Sequence, residues 1–173
     1  MTETMDVNET TWAVTFDALF DDVKRPMRAT AESAGYDVHA YLIGRTVNLV
    51  QGTQSGTLAV GDGRLVIPPG ARVTIPLGFR ATLPSGLEAQ LRLRSSVAFK
   101  RGLIMPNAPA TIDPDYPGEW MVIVSNTLDE SVTVEHGERI AQIVFSRFQT
   151  VTLVDGTVGV TSDRTGGIGS TGI

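Results

Sequence analysis

The sequence contains no cysteine, so it can form neither a disulfide framework nor a thiolate metal site. No apolar run reaches the roughly 18 residues that a membrane-spanning helix needs. The first residues, MTETMDVNETTWAVTF, lack the basic start and the apolar stretch of a signal peptide. We therefore expect a soluble, cytoplasmic protein without membrane contact, and a bacterial cell or the host cell of a virus is a compatible setting.

Clustered positive charge is also scarce. The chain has 14 Lys and Arg against 19 Asp and Glu, which gives a net charge of -5. Its only basic doublets are Lys24-Arg25 and Lys100-Arg101. This balance argues against nucleic acid as a partner. Small anions such as nucleotides stay compatible with it, because a few arginines suffice to bind phosphate.

The two histidines, His39 and His136, are far apart in sequence and have no His-x-x-x-His spacing, so a zinc site held by the protein is not expected. The glycine-rich end, GGIGSTGI, lacks the lysine and the following helix of a phosphate-binding P-loop. Glycines there would still let backbone N–H groups approach anionic oxygens closely.

The main periodicity in the chain is two, which is typical of strands with one buried face. In LEAQLRLR, residues 87–94, apolar and polar side chains alternate strictly. Further short runs rich in β-branched residues are separated by Pro-Gly and similar turn residues; they span 64–67, 71–79, 119–126, 131–136 and 139–148. Only 95–102 suits a helical turn, and 11–22 is ambiguous. These patterns predict an all-β sandwich, jelly roll or barrel.

The length of 173 residues predicts a single domain over 1–173. Residues 41–63 contain five glycines and alternate weakly, so we expect an extra hairpin or a surface excursion between strands. The tail, residues 163–173, is also glycine-rich, and we expect it to be mobile when nothing is bound.

The stretch NAPATIDPDYPGEW, residues 107–120, holds acidic side chains between prolines. Asp113 precedes Pro114 and Tyr116 precedes Pro117, so both residues should be extended and their side chains aimed. On its own, such a cluster is more often an ordinary turn than a site. Upstream, Arg94-Ser95-Ser96 leaves a strand and suits binding of phosphate oxygens.

Five segments, taken in order, resemble the five motifs of the trimeric deoxyuridine triphosphatases: AESAGYDVHA (31–40), LRSSVAFKRGL (93–103), NAPATIDPDYPGEW (107–120), GERIAQIVF (137–145) and DRTGGIGSTG (163–172). The resemblance covers nearly all of residues 31–172 except 41–63, which looks like an insertion. It implies a jelly-roll-like distorted barrel of the β-clip type. It also implies a homotrimer with shared active sites that hydrolyses dUTP to dUMP and pyrophosphate with Mg²⁺.

The resemblance also implies roles for single residues. Asp113 matches the general base that activates water for attack on the α-phosphorus, and Tyr116 matches the tyrosine that packs on the deoxyribose and excludes ribonucleotides. The remaining matches to substrate-binding positions are Arg94, Ser95, Ser96, Asn107, Thr111, Ile112, Met121, Gln142, Arg164, Gly166, Gly167 and Ile168. Asp37 matches an acid near the water shell of the metal, which the substrate phosphates should mainly hold; pairing with an arginine is an equally good interpretation of Asp37.

Three departures from the motifs matter. Arg164 stands one residue closer to Gly166-Gly167 than is usual, and Ile168 replaces an aromatic residue, at a loss of about 0.5–1.5 kcal/mol of aromatic attraction. Arg-Ser-Ser in place of Arg-Ser-Gly resembles the related dCTP deaminases, so deamination is the main enzymatic alternative. Deaminases carry a glutamate on the strand after the third motif, where this chain has Met-Val-Ile-Val at 121–124. That difference favours the hydrolase.

A third hypothesis is a binding protein switched by nucleotide. The length and placement of residues 41–63 motivate it, because such a segment could dock a regulatory protein partner. This role would not exclude catalysis.

Overall fold

Alternating sequence patterns produce a fold made almost entirely of short strands. The computed structural model describes residues 12–159. The strands are β1 (Thr15–Ala18), β2 (Met27–Arg28), β3 (Tyr36–His39), β4 (Arg45–Gln51), β5 (Gln54–Val60), β6 (Arg64–Ile67), β7 (Arg72–Pro76), β8 (Phe79–Thr82), β9 (Leu87–Leu93), β10 (Leu103–Ile104), β11 (Ala110–Ile112), β12 (Met121–Asn126), β13 (Val132–Glu135) and β14 (Arg139–Arg147), and the helix is α1 (Ser95–Arg101). The all-β prediction is confirmed.

The strands form two five-stranded sheets and two strand pairs. One large sheet has the order β10-β12-β7-β4-β5 and the other has the order β11-β9-β14-β3-β2. The pairs are β1 with β8 and β6 with β13. Neighbouring strands run antiparallel throughout the described residues. Because antiparallel sheets tolerate one wet face, polar side chains are free to line the outer surfaces.

All four groups of strands contribute to one continuous apolar core. On β9, Leu87, Ala89 and Leu91 are buried, whereas Arg92 between them and the helix is exposed. Burial therefore follows the period of two that the sequence shows. The largest fully buried side chain is that of Trp120, at the entrance to β12.

Two parts of the chain differ from the strand pattern in the sequence. The run 71–79 is two strands, because the chain turns between Pro76 and Phe79. Gly78 has a φ of +77°, and a Cβ there would lie 2.8 Å from Tyr41 Cγ, so only glycine fits. The ambiguous segment near the start contains β1, which pairs with β8.

Helix α1 lies where the sequence predicted a helical turn. It begins after Arg94 and ends at Gly102, whose φ of +60° is the left-handed conformation common at helix ends. Val97 is the residue that anchors it in the core. Among the described residues, no helix is long and apolar enough to cross a membrane.

Residues 45–60 form a hairpin in which β4 and β5 pair along their whole length, from Arg45 opposite Val60 to Gln51 opposite Gln54. The other edge of β4 joins β7 through Leu49 and Val50. The hairpin therefore extends a large sheet and is not a separate excursion. Strand β5 lies at the edge of this sheet within the described part of the chain.

Candidate active site

Asp113 follows β11 at the start of a tight turn. The backbone N–H of Tyr116 donates to the carbonyl oxygen of Asp113 at 3.2 Å, which closes a four-residue turn. Pro114 occupies the second position, where its fixed φ suits such a turn. Asp113 is exposed. The turn and Pro114 restrict the backbone that carries its carboxylate, as expected from the proline spacing.

Tyr116 is held on the far side of the same turn. Its hydroxyl donates to the carbonyl oxygen of Glu119 at 3.3 Å, and 39% of the residue stays exposed. A Cβ on Gly118 would lie 2.5 Å from this hydroxyl oxygen. Gly118 is therefore needed for the close approach of the ring to the backbone, which explains the Tyr-Pro-Gly spacing.

The turn borders a cleft of about 270 Å³, which we call the Asp113 cleft. Six side chains singled out from the sequence line it: Asn107, Thr111, Ile112, Asp113, Tyr116 and Met121. Sequence reasoning missed Thr74 and Ile123, which are paired across β7 and β12 and also line the cleft. Ile123 is two positions from Met121, so strand alternation could have placed it on the same face.

A second cleft, of about 380 Å³, contains the other group of sequence candidates, and we call it the Arg94 cleft. Asp37, Arg94, Ser95 and Gln142 line it, together with Arg92, which sequence reasoning missed. Ser96 is exposed and does not line either cleft. The structure therefore brings together four of the five phosphate and metal candidates within the described residues.

The sheet register explains this grouping. Gln142 on β14 lies opposite Asp37 on β3 and opposite Arg92 on β9. Residues directly opposite each other in an antiparallel sheet point to the same face, so these three side chains form a row. A Cβ on Gly35 would lie 2.0 Å from the Gln142 amide oxygen, so the glycine of Ala-Gly-Tyr-Asp makes room for Gln142.

Two arginines hold the carboxylate of Asp37. Arg94 Nε lies 3.2 Å from Oδ1, and Arg139 Nη1 donates to Oδ2 at 3.0 Å. The Asp37 side chain is only 14% exposed, so these contacts offset part of the cost of burying its charge. The arginine-pairing interpretation of Asp37 is thus realised. Arg139, in the Gly-Glu-Arg-Ile motif, was missed because only the β3–β14 pairing brings it here.

The described residues that line the Arg94 cleft carry an excess of positive charge, with Arg92 and Arg94 against Asp37. Burial lowers the pKa of the neighbouring His39, Lys24 acts in the same direction, and Asp37 opposes both. Positive charge beside serine hydroxyls and the Gln142 amide suits a polyphosphate. Within the described residues, no three His, Asp or Glu side chains cluster as a metal site.

The two clefts share no lining residue. One offers an exposed carboxylate beside apolar and amide groups, and the other offers arginines, a hydroxyl and an amide. The remaining sequence candidates, Arg164, Gly166, Gly167 and Ile168, lie outside the described residues. The fold and the clefts together define an all-β protein whose surface suits a small anionic ligand with both polar and apolar parts.

Comparison with known proteins identifies the family. The family model described as dUTPase matches residues 62–172. The deoxyuridine 5'-triphosphate nucleotidohydrolase of Solibacter usitatus is 37% identical over 149 residues, which is 82% of this chain and 82% of the relative. The enzyme of the same name from Anaplasma marginale is 36% identical over 148 residues, which is 85% of this chain and 88% of the relative.

Solved structures agree. The dUTPase from Streptococcus mutans has a TM-score of 0.60 and 31% identity, over 82% of this chain and 99% of that chain. The Staphylococcus bacteriophage 80alpha dUTPase with dUPNHPP has a TM-score of 0.73 and 22% identity, over 93% of this chain and 99% of that one, which is a likeness of fold. This chain belongs to the dUTPase family. The resemblance seen in the sequence is confirmed, and so is the fold that it implied.

Proposed function

We propose that the protein hydrolyses dUTP to dUMP and pyrophosphate, with Asp113 as the general base. The observation that carries this proposal is the exposed Asp113 carboxylate, held by a proline-containing turn beside the Asp113 cleft. A general base must stay within hydrogen-bond reach of the proton that it removes, and the turn supplies that constraint. We expect this reaction to take place in the cytoplasm.

The reaction consumes one water molecule and breaks one phosphoanhydride bond of dUTP. Asp113 accepts a proton from a water molecule, the water oxygen bonds to the α-phosphorus, and the α–β phosphoanhydride bond breaks. Pyrophosphate leaves with the electron pair of that bond. In-line displacement of this kind depends mainly on positioning and on stabilisation of charge.

In this proposal the Asp113 cleft binds the nucleoside. Asn107 and the backbone of Thr111 and Ile112 would read the edge of uracil, whereas Tyr116 would pack on the deoxyribose. Cytosine would leave buried donors or acceptors unpaired, which costs about 1–3 kcal/mol for each group. Thymine would be excluded by its methyl group alone. The apolar side chains of Met121 and Ile123 would cover the base.

The Arg94 cleft would bind the phosphates through Arg94, Ser95 and Gln142, and the exposed Ser96 would contact them from outside the cleft. Because the Asp113 and Arg94 clefts share no lining residue, we propose that they meet across subunits of a homotrimer. Closed rings of identical subunits juxtapose different surfaces of neighbouring copies in this way. Arg164, Gly166, Gly167 and Ile168 would complete the site by covering the nucleotide.

Magnesium fits the donors that are present. Among residues 12–159, Asp37 is the only carboxylate that lines the Arg94 cleft, so it would reach the ion through water while phosphate oxygens supply most ligands. When bound, the ion would neutralise phosphate charge.

The structure bears on the deaminase alternative. Removing an amino group from cytosine requires a proton shuttle at the base. The side chains of β12 that line the Asp113 cleft are Met121 and Ile123, and neither has an ionisable group that could donate or accept a proton. Hydrolysis is therefore the better supported reaction.

A panel of nucleotides tests the proposal. Purified protein with Mg²⁺ should release pyrophosphate from dUTP and much less from dCTP, dTTP or UTP. The same reactions should be assayed for ammonia. Ammonia released from dCTP, without pyrophosphate from dUTP, would reject hydrolysis in favour of deamination.

A regulatory docking role remains a second candidate. The observation in its favour is the position of β5, a seven-residue edge strand without a charged side chain. Such an edge can accept a strand from a protein partner. Deleting residues 46–59 would discriminate: loss of a captured partner with unchanged turnover supports docking, whereas loss of assembly indicates a structural role.

A further inference from the structure

A half-buried ion pair joins the β4–β5 hairpin to the segment that carries Tyr116. The guanidinium of Arg45, the first residue of β4, contacts the carboxylate of Glu119. The two side chains are only 19% and 16% exposed. The other carboxylate oxygen of Glu119 accepts the backbone N–H of Gly78 at 2.8 Å. Glu119 therefore bridges the hairpin and the β7–β8 turn.

Aromatic rings fix the position of Arg45. Phe20 and Tyr41 stack with their centroids 4.4 Å apart. The central guanidinium carbon of Arg45 lies 5.2 Å from the Phe20 centroid and 5.9 Å from that of Tyr41. Buried Nη1 has no hydrogen-bond partner among the described residues, so Glu119 and the two rings hold the guanidinium.

The backbone of Glu119 in turn holds Tyr116. Its carbonyl oxygen accepts the Tyr116 hydroxyl at 3.3 Å. The backbone N–H of the next residue, Trp120, donates to the carbonyl oxygen of Phe79 at 2.9 Å. The carbonyl oxygen of Trp120 accepts from the backbone N–H of Leu77 at 3.0 Å. The peptide at residue 119 is thus fixed on one side by the β-ladder and on the other by the Glu119 carboxylate.

We propose that Arg45 is a positioning residue that sets the selectivity of the site for deoxyribose over ribose, acting through Glu119 on Tyr116. This inference rests on the proposed function, in which Tyr116 packs on the sugar. Steric exclusion of a 2'-hydroxyl requires that the Tyr116 ring keep its position when a ribonucleotide binds. The contacts from Phe20 and Tyr41 through Arg45 to Glu119 supply that stiffness, and Arg45 lies outside the motifs that define the site.

Removing the guanidinium would leave the Glu119 carboxylate half-buried without a cation. A carboxylate in that position turns toward water, because an unpaired buried charge is costly. Its bond to Gly78 N–H would then weaken, and the carbonyl that receives the Tyr116 hydroxyl would become less fixed. Tyr116 could then move away from a 2'-hydroxyl. The value of kcat/KM for UTP would therefore rise by a larger factor than the value for dUTP would fall.

The test compares kcat/KM for dUTP with kcat/KM for UTP in single variants. Arg45→Met keeps much of the side-chain stem but removes the charge, and it should lower the dUTP-to-UTP ratio about three- to tenfold. Arg45→Lys should restore most of the ratio. Arg64→Met, which breaks the exposed Arg64–Glu135 pair at 3.1 Å, is the matched control and should leave the ratio unchanged.

A double-mutant cycle that combines Arg45→Met with Tyr116→Phe distinguishes positioning of Tyr116 from a general loss of rigidity in the fold. In the Tyr116→Phe background, which lacks the hydroxyl, Arg45→Met should change the ratio by less than about twofold. Glu119→Gln gives a second route to the same contact if Arg45→Met folds poorly, and it too should lower the ratio. An unchanged ratio in Arg45→Met or Glu119→Gln, or equal losses for both nucleotides, would overturn the inference.

Tyr116→Ala distinguishes this failure from a failure of the proposed function. If Tyr116→Ala lowers the dUTP-to-UTP ratio and Arg45→Met does not, the positioning role is wrong and the assignment of Tyr116 stands. If Tyr116→Ala leaves the ratio unchanged, or if the wild-type protein does not hydrolyse dUTP, then the proposed function fails and the inference fails with it.

Discussion

Asp113 is an exposed side chain on a backbone that is held in place. Its carbonyl oxygen closes the turn with Tyr116, and Pro114 fixes the next φ, so the backbone beneath the carboxylate has little freedom. An acid on a flexible loop would lose much of its effect as a base, since small displacements from reacting geometry are costly. The stiffness of this turn is the physical reason to assign the base to residue 113.

Asp113→Asn tests that assignment. The amide cannot accept a proton from water at neutral pH, but it keeps the size of the side chain and leaves the turn intact. We expect kcat for dUTP to fall by about two to four orders of magnitude, with nucleotide affinity nearly unchanged. Steady-state kinetics and calorimetric binding measure the two effects. Turnover near the wild-type value would reject Asp113 as the base.

A substitution at Gly35 tests the proposed contact between Gln142 and the substrate phosphates. A Cβ at residue 35 would displace the flexible Gln142 amide, whose oxygen it would approach to 2.0 Å. Gly35→Ala should therefore raise KM for dUTP about tenfold through loss of a hydrogen bond to phosphate. Thermal stability should change little.

Gly56→Ala is the matched control for that variant, because no atom lies within 4 Å of a Cβ at this strand position. It should keep the wild-type KM. Equal KM values in both alanine variants would show that Gln142 does not contact the substrate.

Strands and hairpins were largely predictable, and the reason is burial. One face of each strand packs on the core, so alternation is visible in the sequence for β6, β9, β12, β13 and β14. The need for glycine at residue 78, where the strand breaks, was not visible, because it depends on a close approach to Tyr41, which is distant in sequence. Likewise, strand register places Arg92 in the Arg94 cleft and Arg139 against Asp37, and a pattern along one chain does not encode register.

The segment just before the hairpin is held by contacts of Tyr41. Its hydroxyl donates to Asp22 at 2.8 Å, and its ring packs edge-on against His136 with centroids 4.9 Å apart. Burial raises the pKa of Tyr41, and the hydrogen bond and charge of Asp22 add to the effect. The folded protein therefore favours the protonated phenol more strongly than the unfolded chain does.

This shift predicts an alkaline dependence of stability. A folded pKa above the unfolded value of 10.0 contributes stability that is present below about pH 10 and lost as pH rises through the folded pKa. Tyr41→Phe should be about 1 kcal/mol less stable near pH 8, through loss of the bond to Asp22. Between pH 8 and 11 its free energy of unfolding should fall less than that of the wild type.

Urea unfolding at both pH values measures the difference, with refolding on return to pH 8 as the check of reversibility. Parallel losses of stability in the two proteins would contradict the role given to the Tyr41 phenol.

At the scale of the whole molecule, the division into two clefts is the feature that requires explanation. The Asp113 cleft has the proposed base and nucleoside groups, whereas the Arg94 cleft has the phosphate groups. Motifs in the sequence identified most members of both sets, and the family resemblance implied sites shared between subunits. Motif order alone did not say which residues would lie in which cleft, because it carries no information about neighbouring copies. A site shared between subunits reconciles a single reaction with two separate clefts.

Subunit mixing tests this account most directly. Asp113→Asn and Arg94→Gln should each be nearly inactive alone. If each site takes Asp113 from one copy and Arg94 from a neighbour, an equal, randomly assembled mixture of the two variants has both native residues in about a quarter of its sites. Co-expression of the two chains should therefore restore about a quarter of wild-type dUTP hydrolysis. Activity no higher than that of the single variants would contradict the shared site, because every site built within one chain would keep one of the two substitutions.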